Sequence, residues 1–136
     1  MKKIKILFAC VENSFRSQIA EGVAKTFFSD YIEAYSAGSK PLGKIHPNAI
    51  AILKEIGYDL SKCSSKEFMD LEERDFDYLI TMGCRDVCPF HPAKEYLDWN
   101  LPDIKNESIE KVREMRNDIK HRICNLIKKH TKEIEC

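Results

Sequence analysis

No apolar run in the 136-residue chain approaches the ~20 residues that a membrane-spanning helix needs, so no membrane partner is expected. Neither sign of charge is in excess, with 22 Lys+Arg against 22 Asp+Glu. A general nucleic-acid binder neutralises phosphates with surplus basic residues, and that surplus is missing. Residues 1–9 are basic and then apolar, but the apolar run is too short for a secretory signal and no small-residue cleavage site follows. There is no internal repeat, no low-complexity tract and no linker. The expectation is therefore one domain over residues 1–136, soluble and cytoplasmic. The composition, 43% hydrophobic and 32% charged, supplies a core and excludes a disordered chain.

What is present in quantity is cysteine: Cys10, Cys63, Cys84, Cys88, Cys124 and Cys136. A secreted disulfide framework would suit a shorter chain carrying a signal sequence. In a reducing compartment, clustered cysteines are usually catalytic or metal-binding.

The pattern of apolar residues predicts a strand over Lys3–Ala9 and a helix over Gln18–Phe28, with Ile19, Val23 and Phe27 on one face. A second strand is expected over Glu33–Ala37, turning at Gly38. A helix follows over Pro47–Ile56, stopped by Gly57. Ser65–Leu71 reads as a short helix and Asp77–Met82 as a buried strand. Gly83–Pro89 reads as a helical turn, and Tyr96–Trp99 as a last short strand. Asn106 is the expected N-cap of a long helix carrying Ile109, Val112, Met115, Ile119, Ile123 and Leu126 at steps of three and four. Residues 131–136 are expected to fray. Strands alternating with helices imply an α/β domain with a parallel sheet covered on both faces. Ligands of such sheets sit beyond the carboxyl ends of the strands, where Cys10 and Cys84 both fall.

Cys10 and Arg16 form Cys-x5-Arg between a strand and a helix. A loop closing onto a helix N-terminus aims backbone N–H groups at an anion, and the helix dipole adds positive potential. The candidate oxyanion-binding residues are Val11, Glu12, Asn13, Ser14, Phe15, Arg16 and Ser17. Arg16 can fork two donors onto a tetrahedral oxyanion. The same field favours a thiolate at Cys10, and Ser17 can donate to that sulfur. Asn13 can hold the loop's shape.

The run Cys10-Val-Glu-Asn13-Ser-Phe-Arg16-Ser17-Gln-Ile-Ala-Glu21-Gly resembles the low-molecular-weight protein tyrosine phosphatase superfamily, and more closely the arsenate reductases built on that fold. Tyr35-Ser36-Ala37-Gly38, His46-Pro47-x-Ala49, Thr81-Met82-Gly83-Cys84-x3-Cys88-Pro89 and Asp98-Trp99 extend the resemblance over most of the chain. It implies a four-stranded parallel sheet with helices on both faces. It also implies arsenate or a phosphate-like oxyanion as substrate, no bound cofactor, and a thioredoxin-type thiol protein as reductant. Cys10 would be the nucleophile, with Cys84 and Cys88 relaying a disulfide. The acid position falls on Asp103, where Ile104 replaces the family's proline; Asp98 is the fallback. Asp103-Ile104-Lys105 carries no aromatic to line a cleft for a phosphotyrosine ring. A potassium ion is held in some of these reductases by residues matching Asn13, Glu21 and Ser36, but the fourth, acidic position is Ser65 here, so no ion is expected.

The residues themselves leave other readings open. Helical i,i+4 spacing puts the Cβ atoms of Cys84 and Cys88 ~5–6 Å apart, against the ~3.5–4.5 Å of a disulfide, so pairing requires the turn to unwind. Gly83 and Pro89 make that turn easy to break. Oxidation is expected to loosen residues 83–92. The alternatives are ordinary thiols, or a zinc site of Cys84, Cys88 and His91 completed by His46 or Cys63, which would make the chain a redox or metal-responsive module. A small phosphatase using Cys10, Arg16 and Asp103 is the second enzymatic reading. Cys63 reads as a bland free thiol, Cys124 as lying at the core margin or exposed, Cys136 as disordered, and His121 and His130 as solvated.

Overall fold

Alternation along Ile4–Cys10 decides the architecture. In this first strand, β1, Ile4, Ile6, Phe8 and Cys10 point to one face of the sheet and Leu7 and Ala9 to the other, and all six are buried. A strand apolar on both faces must be covered on both. The computed structural model describes residues 2–73, 75–83 and 92–136. In chain order β1 is followed by α1 (Arg16–Phe27), β2 (Ile32–Gly38), α2 (Pro47–Lys54), a 3₁₀ turn (Phe68–Asp70), β3 (Phe76–Thr81), β4 (Ala93–Asp98) and α3 (Ile109–Lys128). The four strands form one parallel sheet in the order β2-β1-β3-β4, the sheet that the sequence implies.

The larger core fills the even-numbered face of β1. There Ile6 and Phe8 meet Ile19 and Val23 of α1, Ile52 and Leu53 of α2, and Val112, Ile119 and Ile123 of α3. Each such side chain, fully removed from water, contributes about 1.5–3 kcal/mol before entropy is counted. The opposite face carries a smaller cluster, in which Phe68 and Leu71 of the 3₁₀ segment cover Leu7, Ala9 and Leu79. A fork of two arginines pins α2 to α3: Arg113 and Arg116 both reach Glu55, and Arg116 also donates to the carbonyl of Ile52 (2.9 Å).

The chain leaves β1 toward β2 on one side and later returns to β3 on the other. Neighbouring connections therefore diverge at the carboxyl ends of β1 and β3, the place where open α/β sheets bind ligands. Cys10 is the last residue of β1.

Boundaries differ from the sequence-based expectation in informative ways. The helix expected from Gln18 begins at Arg16. The cap of α3 is Ser108, whose hydroxyl accepts from the Lys111 N–H, and not Asn106. Asn106 instead lies 3.3 Å from the His46 ring. The last strand starts three residues earlier than expected, at Ala93. The tail is not loose: Cys136 is disulfide-bonded to Cys124, which is buried in the core, and Ile134 packs against that core. His130 is not merely solvated, because its Nε2 lies 2.7 Å from the Tyr78 hydroxyl. Burial and the Glu95 carboxylate push that phenol up to about 12. Among the described residues no helix is long and apolar enough to cross a membrane.

Candidate active site

The loop from Cys10 to Arg16 is built by turning its carbonyls away from its centre. The carbonyl of Val11 accepts from Lys40 N–H (2.8 Å), that of Glu12 from Leu42 N–H (3.0 Å) and that of Ser14 from His46 N–H (2.8 Å). The carbonyl of Asn13 accepts from the Gln18 amide (3.2 Å) and that of Phe15 from Ile19 N–H (2.9 Å). With all five carbonyls engaged outside, the hollow is left to N–H groups. The residue before α1, Phe15, makes no side-chain cap, so the orphan donors of the helix N-terminus stay open to an anion.

Two backbone features permit this shape. Asn13 adopts the left-handed region at φ +49°. Its side chain offsets the cost by bonding on both sides: Oδ1 accepts from Lys66 N–H (2.7 Å) and Gln18 Nε2 (2.9 Å), and Nδ2 donates to Ser17 Oγ (2.8 Å). Gly38, beside Cys10 in the β1–β2 register, lies under the loop. A Cβ there would stand 2.5 Å from the Val11 carbonyl and 2.8 Å from that of Cys10.

Cys10 is buried, and its Sγ lies 2.8 Å from Ser17 Oγ. The Ser17 oxygen also accepts from Asn13 Nδ2, and its own proton is free to be donated to a Cys10 thiolate. Arg16 is the second fixed point. Its Nη1 donates to the carbonyls of Met82 (2.7 Å) and Leu101 (2.8 Å), tying together the segments that follow β3 and β4. One guanidinium edge is thus anchored in protein, which orients the rest of the fork.

A cavity of about 290 Å³ opens over Cys10, walled by Glu12, Ser14, Phe15, Arg16, Asp103 and Lys105 among others. Asp103, the expected acid, is at this cavity. Asp98, the fallback, is at the end of β4, where its Oδ1 accepts from Asn100 N–H (2.9 Å) and Thr81 Oγ1 (3.1 Å). Lys105 was missed by sequence reading: its Nζ lies 2.8 Å from Glu12 Oε1 and 3.4 Å from Asp103 Oδ2. The hydrogen bond that it donates to Glu12 holds the Lys105 ammonium above the ordinary lysine range. Gln18 was missed as well, since its amide serves the loop from inside α1.

The residues matching a potassium site are otherwise engaged. Glu21 Oε2 pairs with Lys25 (2.6 Å), Oε1 accepts from Ser36 and lies 3.8 Å from the Lys66 ammonium, and Asn13 Oδ1 serves two protein donors. Burial lowers Lys25, but the Glu21 charge and hydrogen bond more than offset it and leave Lys25 raised. A carboxylate already facing two ammonium groups does not fit a monovalent cation.

Cys84, Cys88 and His91 lie outside the described residues, as do the helical turn expected there, its loosening on oxidation and most of the alternative zinc set. Of the residues offered to complete that set, His46 uses Nδ1 to accept from Asn48 N–H at the start of α2 (3.1 Å). Cys63 is a free, half-buried thiol beside Tyr58. A larger hollow, about 610 Å³, opens at the opposite end of the sheet. Two of its lysines pair with carboxylates, Lys5 with Glu73 (2.9 Å) and Lys94 with Asp77 (3.2 Å).

A strand-terminal cysteine, an outward-turned loop and an arginine at a helix start suit thiol-based chemistry on an oxyanion at the edge of a parallel sheet. Residues 5–135 match the model of the low molecular weight phosphotyrosine protein phosphatase family, and the chain belongs to that family. It is 38% identical over 128 residues to a glutaredoxin arsenate reductase of Synechocystis sp., covering 92% of this chain and 97% of the relative. A solved arsenate reductase in a phosphate binding state superposes with a TM-score of 0.80 at 35% identity, covering 94% of this chain and 99% of the other. A thioredoxin-dependent arsenate reductase of Corynebacterium glutamicum superposes with a TM-score of 0.73 at 35% identity, covering 95% of this chain and 64% of the other.

Proposed function

We propose that this chain reduces arsenate to arsenite, with Cys10 as nucleophile and an external dithiol protein of the thioredoxin type as the source of electrons. The observation that carries the reading is the wall of the Cys10 cavity. Arg16 and Lys105 bring positive charge to it, with Glu12 paired to Lys105, and Phe15 is the one aromatic among the described residues of its lining, so it suits a small oxyanion better than a phosphotyrosine ring. The relatives named as arsenate reductases support it over ester hydrolysis.

Arsenate, tetrahedral like phosphate, sits on the N–H groups of residues 11–17 and on the guanidinium of Arg16. The Cys10 thiolate attacks arsenic, forming an S–As bond. One As–O bond breaks, and its oxygen leaves as water with a proton from Asp103. The loop donors stabilise charge on the remaining oxygens. The Cys84 thiolate then attacks Cys10 Sγ. An S–S bond forms and the S–As bond breaks, and its electron pair stays on arsenic, which passes from the pentavalent to the trivalent state. The Cys88 thiolate attacks the Cys84 sulfur and releases Cys10 as thiolate. The external dithiol supplies two electrons and two protons to the Cys84–Cys88 disulfide. No further cofactor is required by these steps. The chain approaches Cys84 from Gly83, which lies against Arg16.

Incubation with arsenate, thioredoxin, thioredoxin reductase and NADPH tests the proposal. Arsenate-dependent NADPH oxidation by the wild type, abolished in Cys10→Ser and Cys88→Ser, is expected. Aryl phosphate hydrolysis unaffected by Cys88→Ser, without arsenate turnover, would make the chain a phosphatase instead. Stoichiometric zinc without any turnover would favour the metal-responsive module.

A further inference from the structure

Glu12 is out of place in an anion loop. It sits two residues after the nucleophile and lines the same cavity, where a carboxylate repels any multiply charged oxyanion. Among the described residues its side chain pairs with Lys105, 93 residues later, at 2.8 Å. Lys105 is held there by its surroundings. Its carbonyl accepts from Asn48 Nδ2 (2.6 Å), and the next residue, Asn106, meets His46 Nε2 (3.3 Å), so the segment is fastened to the start of α2. Its side chain is only 27% exposed, and the Asp103 carboxylate, 3.4 Å away, approaches the same ammonium.

We infer that Lys105 is a specificity-determining residue for the oxyanion site, screening the Glu12 carboxylate so that the Cys10–Ser17 loop can admit a multiply charged anion. The inference rests on reading that loop as an oxyanion site. Among the described residues, Glu12 and Asp103 flank one ammonium, that of Lys105, at the cavity mouth. Removing the ammonium makes the mouth one charge more negative. Removing the Glu12 charge makes it one charge less negative. Removing both restores the original balance. A fastening role for the Lys105 side chain predicts a different pattern, because deleting Glu12 as well could not restore what the first change lost.

The test is protection of Cys10 from iodoacetamide by inorganic phosphate, read by peptide mass at Cys10 so that other thiols do not count. It needs no turnover, so failure of the arsenate assay in the wild type would sink the proposed activity and leave this inference standing. At low salt, the phosphate concentration giving half protection is expected to rise roughly tenfold in Lys105→Gln and to fall severalfold in Glu12→Gln. In the double variant and in Lys105→Arg it is expected within about threefold of the wild type. The gap between Lys105→Gln and wild type is expected to narrow as NaCl is raised, because the groups are partly solvated. A double variant as impaired as Lys105→Gln would overturn the inference. So would a Glu12→Gln protein that binds phosphate no more tightly than wild type, a result that does not depend on how Lys105→Gln folds.

Discussion

Arg16 Nη1 occupies the space that a β-carbon on residue 83 would fill. The gap is 2.6 Å, and the carbonyl of Leu101 would stand 2.7 Å from the same carbon. Gly83 also has a φ of +100°, a conformation that other residues adopt only with strain. The arginine of the anion loop is therefore seated by a glycine on a different strand end.

Gly83→Ala is accordingly expected to displace Arg16 from the Met82 and Leu101 carbonyls. Arsenate turnover should fall by about two orders of magnitude, since small misplacements of a charge-stabilising donor cost that much. Stability should fall by more than ~1 kcal/mol from backbone strain alone. Steady-state kinetics and urea unfolding of the variant check both numbers.

Ser17→Ala removes the hydroxyl between Cys10 Sγ and Asn13 Nδ2. Cys10 should alkylate more slowly near neutral pH. The buried Asn13 amide, left without that acceptor, should cost about 1–3 kcal/mol of stability. Ser17→Thr, which keeps the hydroxyl, should recover part of the alkylation rate.

Glu55 reports on the α2–α3 contact. Hydrogen bonds from Arg113 and then Arg116 lower its carboxyl from 4.5 to about 2. A depressed folded-state value means that the contribution is fully present above pH 4.5 and is lost as pH falls through about 2. Glu55→Gln should therefore lower the denaturation midpoint at pH 7, with the gap to wild type closing progressively between those two pH values. The carboxylate is solvent-facing, so 1 M salt should shrink the gap at pH 7.

Cys136→Ser should loosen the tail beyond α3 without touching Cys10. The bridge to Cys124 spans 12 residues, and a loop of that size typically contributes about 2–3 kcal/mol. The thermal midpoint should drop under oxidising conditions and match wild type under reduction. Arsenate turnover should be unchanged.

Local rules carried much of the fold. The short apolar run of β1, the β-forming residues of β3 and the three- and four-residue steps of α3 placed these elements nearly in register. They failed where a distant partner decides. The start of α1 lies at Arg16, ahead of the apolar period, and nothing at Phe15 signals a cap. Ser108 and Asn106 are both good capping types; the Asn106 side-chain oxygen is taken up by His46 Nε2, and Ser108 caps the helix. The edge strand β4 begins in Ala93-Lys94-Glu95, weak strand formers held by pairing with β3. In the site, Cys10, Asn13, Arg16 and Ser17 announced themselves through spacing. Lys105 did not, because its meaning comes only from Glu12, 93 residues away.

The most direct measurement follows the sulfur atoms. Cys88→Ser protein, reduced, mixed with arsenate and quenched in acid, should yield by mass spectrometry an arsenate-dependent linked peptide pair joining Cys10 to Cys84, apart from any Cys124–Cys136 pair, with one arsenite released per chain. Arsenite release without that bridge, or a bridge between any other pair in its place, would contradict transfer through Cys10 and Cys84.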